Sequence, residues 1–255
     1  TYCVRRIELV QNDLFSFIRP AVLLVSIISL ILIQPDLGAS AVIFASALGV
    51  LFVAGVPIRQ FIVVFLIGLF GIALLITYVP WRWERIISFV DPWSDPFDKG
   101  YQLTLSLMSI GRGDWFGVGL GESLMKMGYL PDAHTDFIFS ILIEELGLLT
   151  GILIMGMLFG ICFRIFFIGR QSLQRRNHFG FFFCFGAAIL IGLHVFINVG
   201  VAIGLLPTKG LTLPLFSAGG TNILIMCSMI GLILRIDYEN KISMPIASVK
   251  RRVTF

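Results

Sequence analysis

Six stretches of this sequence are too apolar to rest in water: residues 20–34, 38–55, 60–79, 137–161, 180–205 and 221–235. Runs of this kind read as membrane-spanning helices, because in lipid every backbone N–H and C=O must be satisfied inside its own segment. Two of the six are short of the ~20 residues a span needs, so they are expected to tilt little or to reach into the interfaces. The composition agrees. Hydrophobic residues make up 57% of the chain, mean hydropathy is +0.95 and only 13% of residues are charged. A soluble domain carries roughly a quarter charged residues. The expected fold is therefore an all-α polytopic membrane protein of about six transmembrane helices. Residues 1–255 form one transmembrane domain, with one large extracytoplasmic loop, 80–136, that contains short helices.

Orientation follows from the basic residues. If the spans simply alternate, Arg5, Arg6, Arg19, Arg59, Arg164, Arg170, Arg175, Arg176, Arg235, Lys241, Lys250, Arg251 and Arg252 fall on one side. Arg82, Arg85, Lys99, Arg112, Lys126 and Lys209 fall on the other. The richer side is cytoplasmic by the positive-inside rule, which puts both ends of the chain in the cytoplasm. Thr1 in place of Met, and the absence of a signal peptide, lead to the expectation that the chain starts inside a longer protein. The four cysteines, Cys3, Cys162, Cys184 and Cys227, are far apart and form no CxxC, so neither a disulfide framework nor a zinc site is expected.

The 80–136 loop is too long to be a passive connection. It holds every tryptophan of the chain, Trp81, Trp83, Trp93 and Trp115, a residue that favours the membrane–water interface. Within "KGYQLTLSLMSIGRGDWFG", Gln102, Ser106 and Ser109 form a polar stripe at helical spacing, which predicts an interfacial amphipathic helix. "GVGLG" (117–121) lacks the strand–turn–helix context of a dinucleotide site. It predicts a tight turn where backbone approaches a neighbour or a ligand.

The candidate chemistry lies at "YLPDAHTDFIFSILIEELG" (129–147), where carboxylates crowd the mouth of an apolar helix. Asp136 can cap a helix that begins at Phe137, or it can act on a substrate at the membrane rim. No capping box supports it, since residue 139 is Phe. Glu144 lies eight residues further on, roughly 12 Å along a helix, and about 80° around from Asp136. It is expected to share a wet face with Asp136. Glu145, on the opposite side, is expected to pair with another helix. An ionised carboxylate at that depth costs several kcal/mol unless it meets a cavity or a cation. His134 has no metal-ligand spacing to the other histidines, His178 and His194. Two further breaks lie on the same side. "LLPTKGLTLPLFSAGGTN" (205–222) offers Lys209 as a point charge for a phosphate, and Arg112 could serve likewise. "QPDLG" (34–38) places Pro35 in a first helical turn and Asp36 as its cap.

Taken in order, "QPDLG", "DPFDKGYQLTLSLMSIGRG", "GVGLGES", "YLPDAHTDFIFSILIEELG", "LLPTKGLTLPLFSAGG" and "LRIDYE" resemble the SEDS family (shape, elongation, division and sporulation) across nearly the whole chain. "LPTKGLTLP" and "LRIDYE" resemble its division members more than its elongation members. The resemblance implies about ten spans in the full protein, of which this chain matches the last six. It implies a peptidoglycan glycosyltransferase that polymerises lipid II at the outer face of the bacterial cytoplasmic membrane, at the division septum. Asp136, within "AHTDF", matches the family's essential aspartate and would be the catalytic base. Lys209, Arg112, His134 and Glu144 would be substrate contacts. A divalent cation, magnesium or manganese, could assist the leaving group. Expected partners are lipid II, membrane lipids, a class B penicillin-binding transpeptidase and other division proteins, with no nucleic acid. Ala218 stands where the family usually has tyrosine. A lipid II flippase and a non-catalytic division scaffold are the alternative readings; the clustering of polar groups away from the midplane weighs against the first.

Overall fold

The computed structural model describes Val4, residues 14–34 and residues 36–242. Cys3, Arg5, Arg6, Pro35, Lys250, Arg251, Arg252 and the side chain of Arg82 lie outside what is described. Among the described residues there is helix and no strand. Six long helices follow the six apolar runs: α1 (Leu14–Ile33), α2 (Leu37–Val53), α3 (Ile58–Thr77), α6 (Ile138–Gln174), α7 (His178–Ala202) and α8 (Gly220–Ile242). Two shorter helices, α4 (Pro80–Val90) and α5 (Tyr101–Gly113), and a single 3₁₀ turn (Met125–Met127) lie in the 80–136 loop.

By length and composition α3, α6, α7 and α8 can each cross a membrane, while α2 and the apolar part of α1 are shorter. Asp36 starts α2, its carboxylate accepting the Ala39 N–H at 2.9 Å. Asn177 starts α7 in the same way through Gly180 N–H. Proline opens α4, where a missing N–H costs nothing. Along α7, Cys184, Ala187, Ile191, Val195, Val199 and Ala202 recur every three or four residues and are buried. That stripe packs against Phe139, Ile143, Leu158, Ile165 and Ile168 of α6 and forms the core. No residue of the Ile58–Leu75 span of α3 is fully buried; Val64 packs against Leu51 and Val56, while Ile62, Phe65, Leu69 and Phe70 are exposed.

The feature that positions the site is a break in α6. Gly147 has φ 84° and ψ 167°, outside helical geometry. The backbone groups freed there are taken by the loop. Val118 and Gly119 N–H donate to the Glu144 and Glu145 carbonyls at 2.9 and 3.0 Å, and Leu148 N–H donates to the Asp114 carbonyl at 2.9 Å. The loop is thus threaded through the helix break by main-chain bonds. The "GVGLG" turn does approach a neighbour closely, and that neighbour is the α6 backbone. A Cβ on Gly117 would lie 2.2 Å from the Glu145 carbonyl oxygen, and one on Gly147 would lie 2.3 Å from that of Trp115. The Gly147 angles belong to a region open in practice only to glycine, where other residues cost about 1–3 kcal/mol before any clash is counted. Gly147→Ala is expected to lower the thermal midpoint of the purified protein and expose residues 114–130 to protease. An unchanged cleavage pattern would show that the interlock does not hold the loop.

The structure corrects one expectation in the loop. The Ser106–Ser109 face of α5 is not the exposed polar face expected of an interfacial amphipathic helix. Both serines are fully buried against α6. Ser106 and Ser140 share a hydrogen bond between their hydroxyls at 2.6 Å, Ser106 also donates to the Ala202 carbonyl, and Ser109 donates to Glu144. The polar stripe is an internal seam between α5, α6 and α7.

Candidate active site at the loop end of the bundle

Asp136 is not a helix cap. The helix begins at Ile138, its N-cap position is Phe137, and no side chain caps it. Asp136 sits two residues before the helix, in a turn anchored by its backbone: its N–H donates to the Asp132 carbonyl at 3.0 Å and its own carbonyl accepts from Asn198 of α7 at 2.8 Å. Asn198 also donates to the Leu211 carbonyl. Ser217 donates to the Thr135 carbonyl and accepts from Leu213 N–H. The 205–219 break is in this way stitched to the residue before Asp136 and to its own backbone.

These contacts turn the Asp136 carboxylate toward the 205–219 break. Its Oδ2 lies 3.2 Å from the point a Cβ on Gly210 would occupy. Glycine at 210 therefore leaves the carboxylate facing bare backbone, next in sequence to Lys209. Lys209 lines a cavity of about 180 Å³ with Leu37, Ile72, Ile197, Leu206 and Pro207. Arg85 of α4 reaches the same break, its guanidinium donating to the Thr208 carbonyl at 3.4 Å. Burial pushes the Asp136 carboxyl up to about 6, and the negative charges of Asp132 and Asp36 push in the same direction. A hydrogen bond from Thr135 and the charge of Arg85 oppose them. The breaks read in the sequence at 34–38 and 205–222, the latter ending in the structure at Gly219, thus meet the 129–136 segment around one carboxylate.

The other expected site residues divide. Lys209 directly precedes Gly210, the residue the Asp136 carboxylate faces, and lines the adjoining cavity. His134 is exposed at the rim, and its backbone carbonyl accepts the Ala218 N–H at 2.9 Å, so the position where the family carries tyrosine serves here through its main chain. Glu144 is not on a wet face with Asp136. It is fully buried, and its two oxygens accept from Ser109 (2.9 Å), Ser123 (2.6 Å), Arg112 (2.8 Å) and Leu124 N–H (3.1 Å). Arg112 is accordingly held by Glu144 rather than presented at the cleft. Glu145 pairs with Lys126 from the loop, a structural pairing of the kind expected, though its partner comes from the 3₁₀ turn. Sequence reasoning singled out neither Ser123 nor Asn198; a lone serine and a lone asparagine carry no local signal. No group of three or more His, Cys, Asp or Glu side chains is placed to hold a metal among the described residues. The residues around Asp136 do not form a ligand set for a divalent cation.

Against known sequences, the model of the FtsW/RodA/SpoVE family, described as "Cell cycle protein", matches residues 1–242. The chain belongs to this family. Two relatives named "Probable peptidoglycan glycosyltransferase FtsW" show how near it stands to the family's FtsW members. That of Aliivibrio salmonicida is 44% identical over 241 residues, covering 94% of this chain and 60% of the relative. That of Wigglesworthia glossinidia brevipalpis is 46% identical over 242 residues, covering 95% and 64%. This FtsW/RodA/SpoVE chain thus spans about three-fifths of the length of the curated relatives it matches. Among solved structures, a chain described under "Structural coordination of polymerization and crosslinking by a peptidoglycan synthase complex" aligns with a TM-score of 0.71 at 28% identity. It covers 93% of this chain and 66% of that one. Rod shape determining protein RodA of Thermus thermophilus aligns with a TM-score of 0.60 at 26% identity, covering 94% and 63%.

Proposed function

We propose that this chain is the catalytic part of a peptidoglycan glycosyltransferase that polymerises lipid II at the outer face of the bacterial cytoplasmic membrane during cell division. The observation that carries the reading is the half-buried Asp136 carboxylate at the meeting point of three chain breaks, facing Gly210, the residue that follows Lys209. Relatives named as FtsW glycosyltransferases support it.

In this reading Asp136 takes the proton from the acceptor sugar 4-hydroxyl as that oxygen attacks the anomeric carbon of the donor. The new glycosidic C–O bond forms while the bond from the anomeric carbon to pyrophosphate breaks. Pyrophosphate leaves without needing a proton, so one base suffices where a glycosidase needs an acid as well. Lys209 places a positive charge where the leaving group gathers negative charge. Arg112 and Glu144 hold the loop rather than the substrate. Both chain ends are cytoplasmic, the enzyme works at the septum, and a class B penicillin-binding transpeptidase cross-links the strands it makes.

A base must be ionised to act. With its carboxyl near 6, Asp136 gains activity as pH rises through that value and loses it below. The expected result is an acidic limb in kcat/KM of the full-length enzyme centred near pH 6. A limb centred near 4, where an unperturbed aspartate titrates, would show that the carboxyl is not raised in the working enzyme, and a limb that persists unchanged in Asp136→Asn would remove Asp136 from the base role.

A further inference from the structure

"LRIDYE" (234–239), at the end of α8 away from the Asp136 cleft, has no part in the site described above. Arg235, Asp237, Glu239 and Lys241 follow an apolar run there, so this end of α8 reaches the membrane–water boundary. Asp237 is buried and pairs with Lys241 at 2.7 Å. Arg164 of α6 stands 3.9 Å from the same carboxylate oxygen. Two cations thus share one carboxylate, and both turn outward: the Arg164 side chain is 60% exposed and that of Lys241 62%. Arg235 and Glu239 neutralise one another. This corner of the α6–α8 pair therefore carries a net positive charge.

An apolar groove of about 430 Å³ begins at the same corner, between α6 and α8. Met157, Ile161 and Ile168 of α6 line one side and Ile230, Ile233 and Leu234 of α8 the other. Arg164 is the one charged residue of its lining among the described residues. From Arg164 inward to Met157 the groove runs about 10 Å along the helix, within the ~15 Å of one leaflet. Gly160 lies in its wall, and a Cβ there would meet nothing within 4 Å. No helix contact calls for that glycine, which weakens a helix relative to alanine; its effect is to keep the groove open. Arg164 itself stands among lipid-facing side chains, with Met157, Phe163 and Phe167 exposed around it. An arginine turned to hydrocarbon is costly unless an anion meets it, and the nearby Asp237 is held more closely by Lys241.

We propose that the α6–α8 groove binds an anionic glycerophospholipid of the leaflet opposite the Asp136 cleft, its phosphate on Arg164 and Lys241 and one acyl chain along the groove. Such a lipid places its phosphate at the boundary where the two cations lie, and its net negative charge matches their surplus. Its chain runs inward as the groove does. A partner's helix would instead have to carry a carboxylate to the depth of Arg164. On the orientation proposed above this is the cytoplasmic leaflet, whose negative surface draws basic clusters. The site is separate from the Asp136 cleft and stands or falls independently of the glycosyltransferase reading.

The test gives full-length protein in detergent a phosphatidylglycerol with a diazirine in one acyl chain and maps the labelled peptides. Label is expected within 157–168 and 230–234. Arg164→Gln is expected to lower it about five-fold, the weight of one basic residue at a charged membrane surface. Arg164→Lys keeps the charge and is expected to keep most of the label. Gly160→Phe fills the groove and is expected to lower the label about ten-fold, the factor carried by roughly two lost buried methylene groups. The same diazirine on phosphatidylcholine, which has the phosphate but no net charge, is expected to label these peptides about five-fold less. Free inorganic phosphate is expected to leave the label unchanged. Melting curves set each variant at equal folded concentration. Label elsewhere, label unmoved by Arg164→Gln or by Gly160→Phe, or equal label from phosphatidylcholine overturns the proposal. So does a groove that takes no label in the protein alone, the result expected of a face that packs against a partner's helix.

Discussion

Replacing Asp136 by asparagine is expected to lower the polymerisation rate of the full-length enzyme by about 10²–10⁴-fold, the usual worth of a positioned general base, and to leave the protein at least as stable as before. The second half follows from sign. The folded state holds the Asp136 carboxyl near 6, above its ordinary 3.8. Folding thus disfavours the ionised form, and at neutral pH the charge costs stability. Asparagine has the same shape and removes the charge. The bonds that fix the turn, from Asn198 to the Asp136 carbonyl and from Asp136 N–H to Asp132, are main-chain on the Asp136 side and survive the change. A residue kept only for structure would show the reverse: lower thermal midpoint, little change in rate. Thermal denaturation beside a polymerisation assay separates the two.

Glu144→Ala is expected to act by the opposite route. Four donors from α5 and the following loop end on one fully buried carboxylate. Removing it leaves Arg112 without its counter-charge and the Ser109 and Ser123 hydroxyls without their acceptor. Breaking a buried pair by deleting one partner typically costs about 3–5 kcal/mol. The measurement is denaturation in detergent with proteolysis of residues 101–130. Glu144→Gln keeps the shape and one acceptor oxygen and is expected to fall between wild type and alanine. Arg112→Ala is expected to cost less, because its side chain is 37% exposed and Glu144 keeps three other donors. A Glu144→Ala protein as stable as wild type would show that the hub does not hold the loop.

Hydropathy made the six spans legible because the signal is local: a helix in lipid must be apolar over its length. The α5 stripe was legible as a helix for the same reason. Its direction was not, since Ser106 and Ser109 face α6 and α7, more than thirty residues away in sequence, and only the tertiary fold says whether a polar face meets water or another polar face. The Glu144 estimate went astray for a related reason. Placing it on a wet face with Asp136 by helical angle assumes one helix through both, yet Asp136 precedes the helix and α5 with the 123–124 segment covers Glu144. The approach of Arg85 to the 208 carbonyl spans 123 residues, a separation no local pattern reports. The glycines of "GVGLG" announced a close contact but not its partner, since a missing side chain says only that something is near.

The most direct test of the central claim is incubation of pure full-length protein with labelled lipid II in detergent, where no bilayer separates two compartments. The account predicts glycan strands from the wild type and, at the same folded concentration, formation from Asp136→Asn slower by about 10²–10⁴-fold. Folded wild-type protein that leaves lipid II unpolymerised, or an Asp136→Asn protein that polymerises it at the wild-type rate, would contradict it.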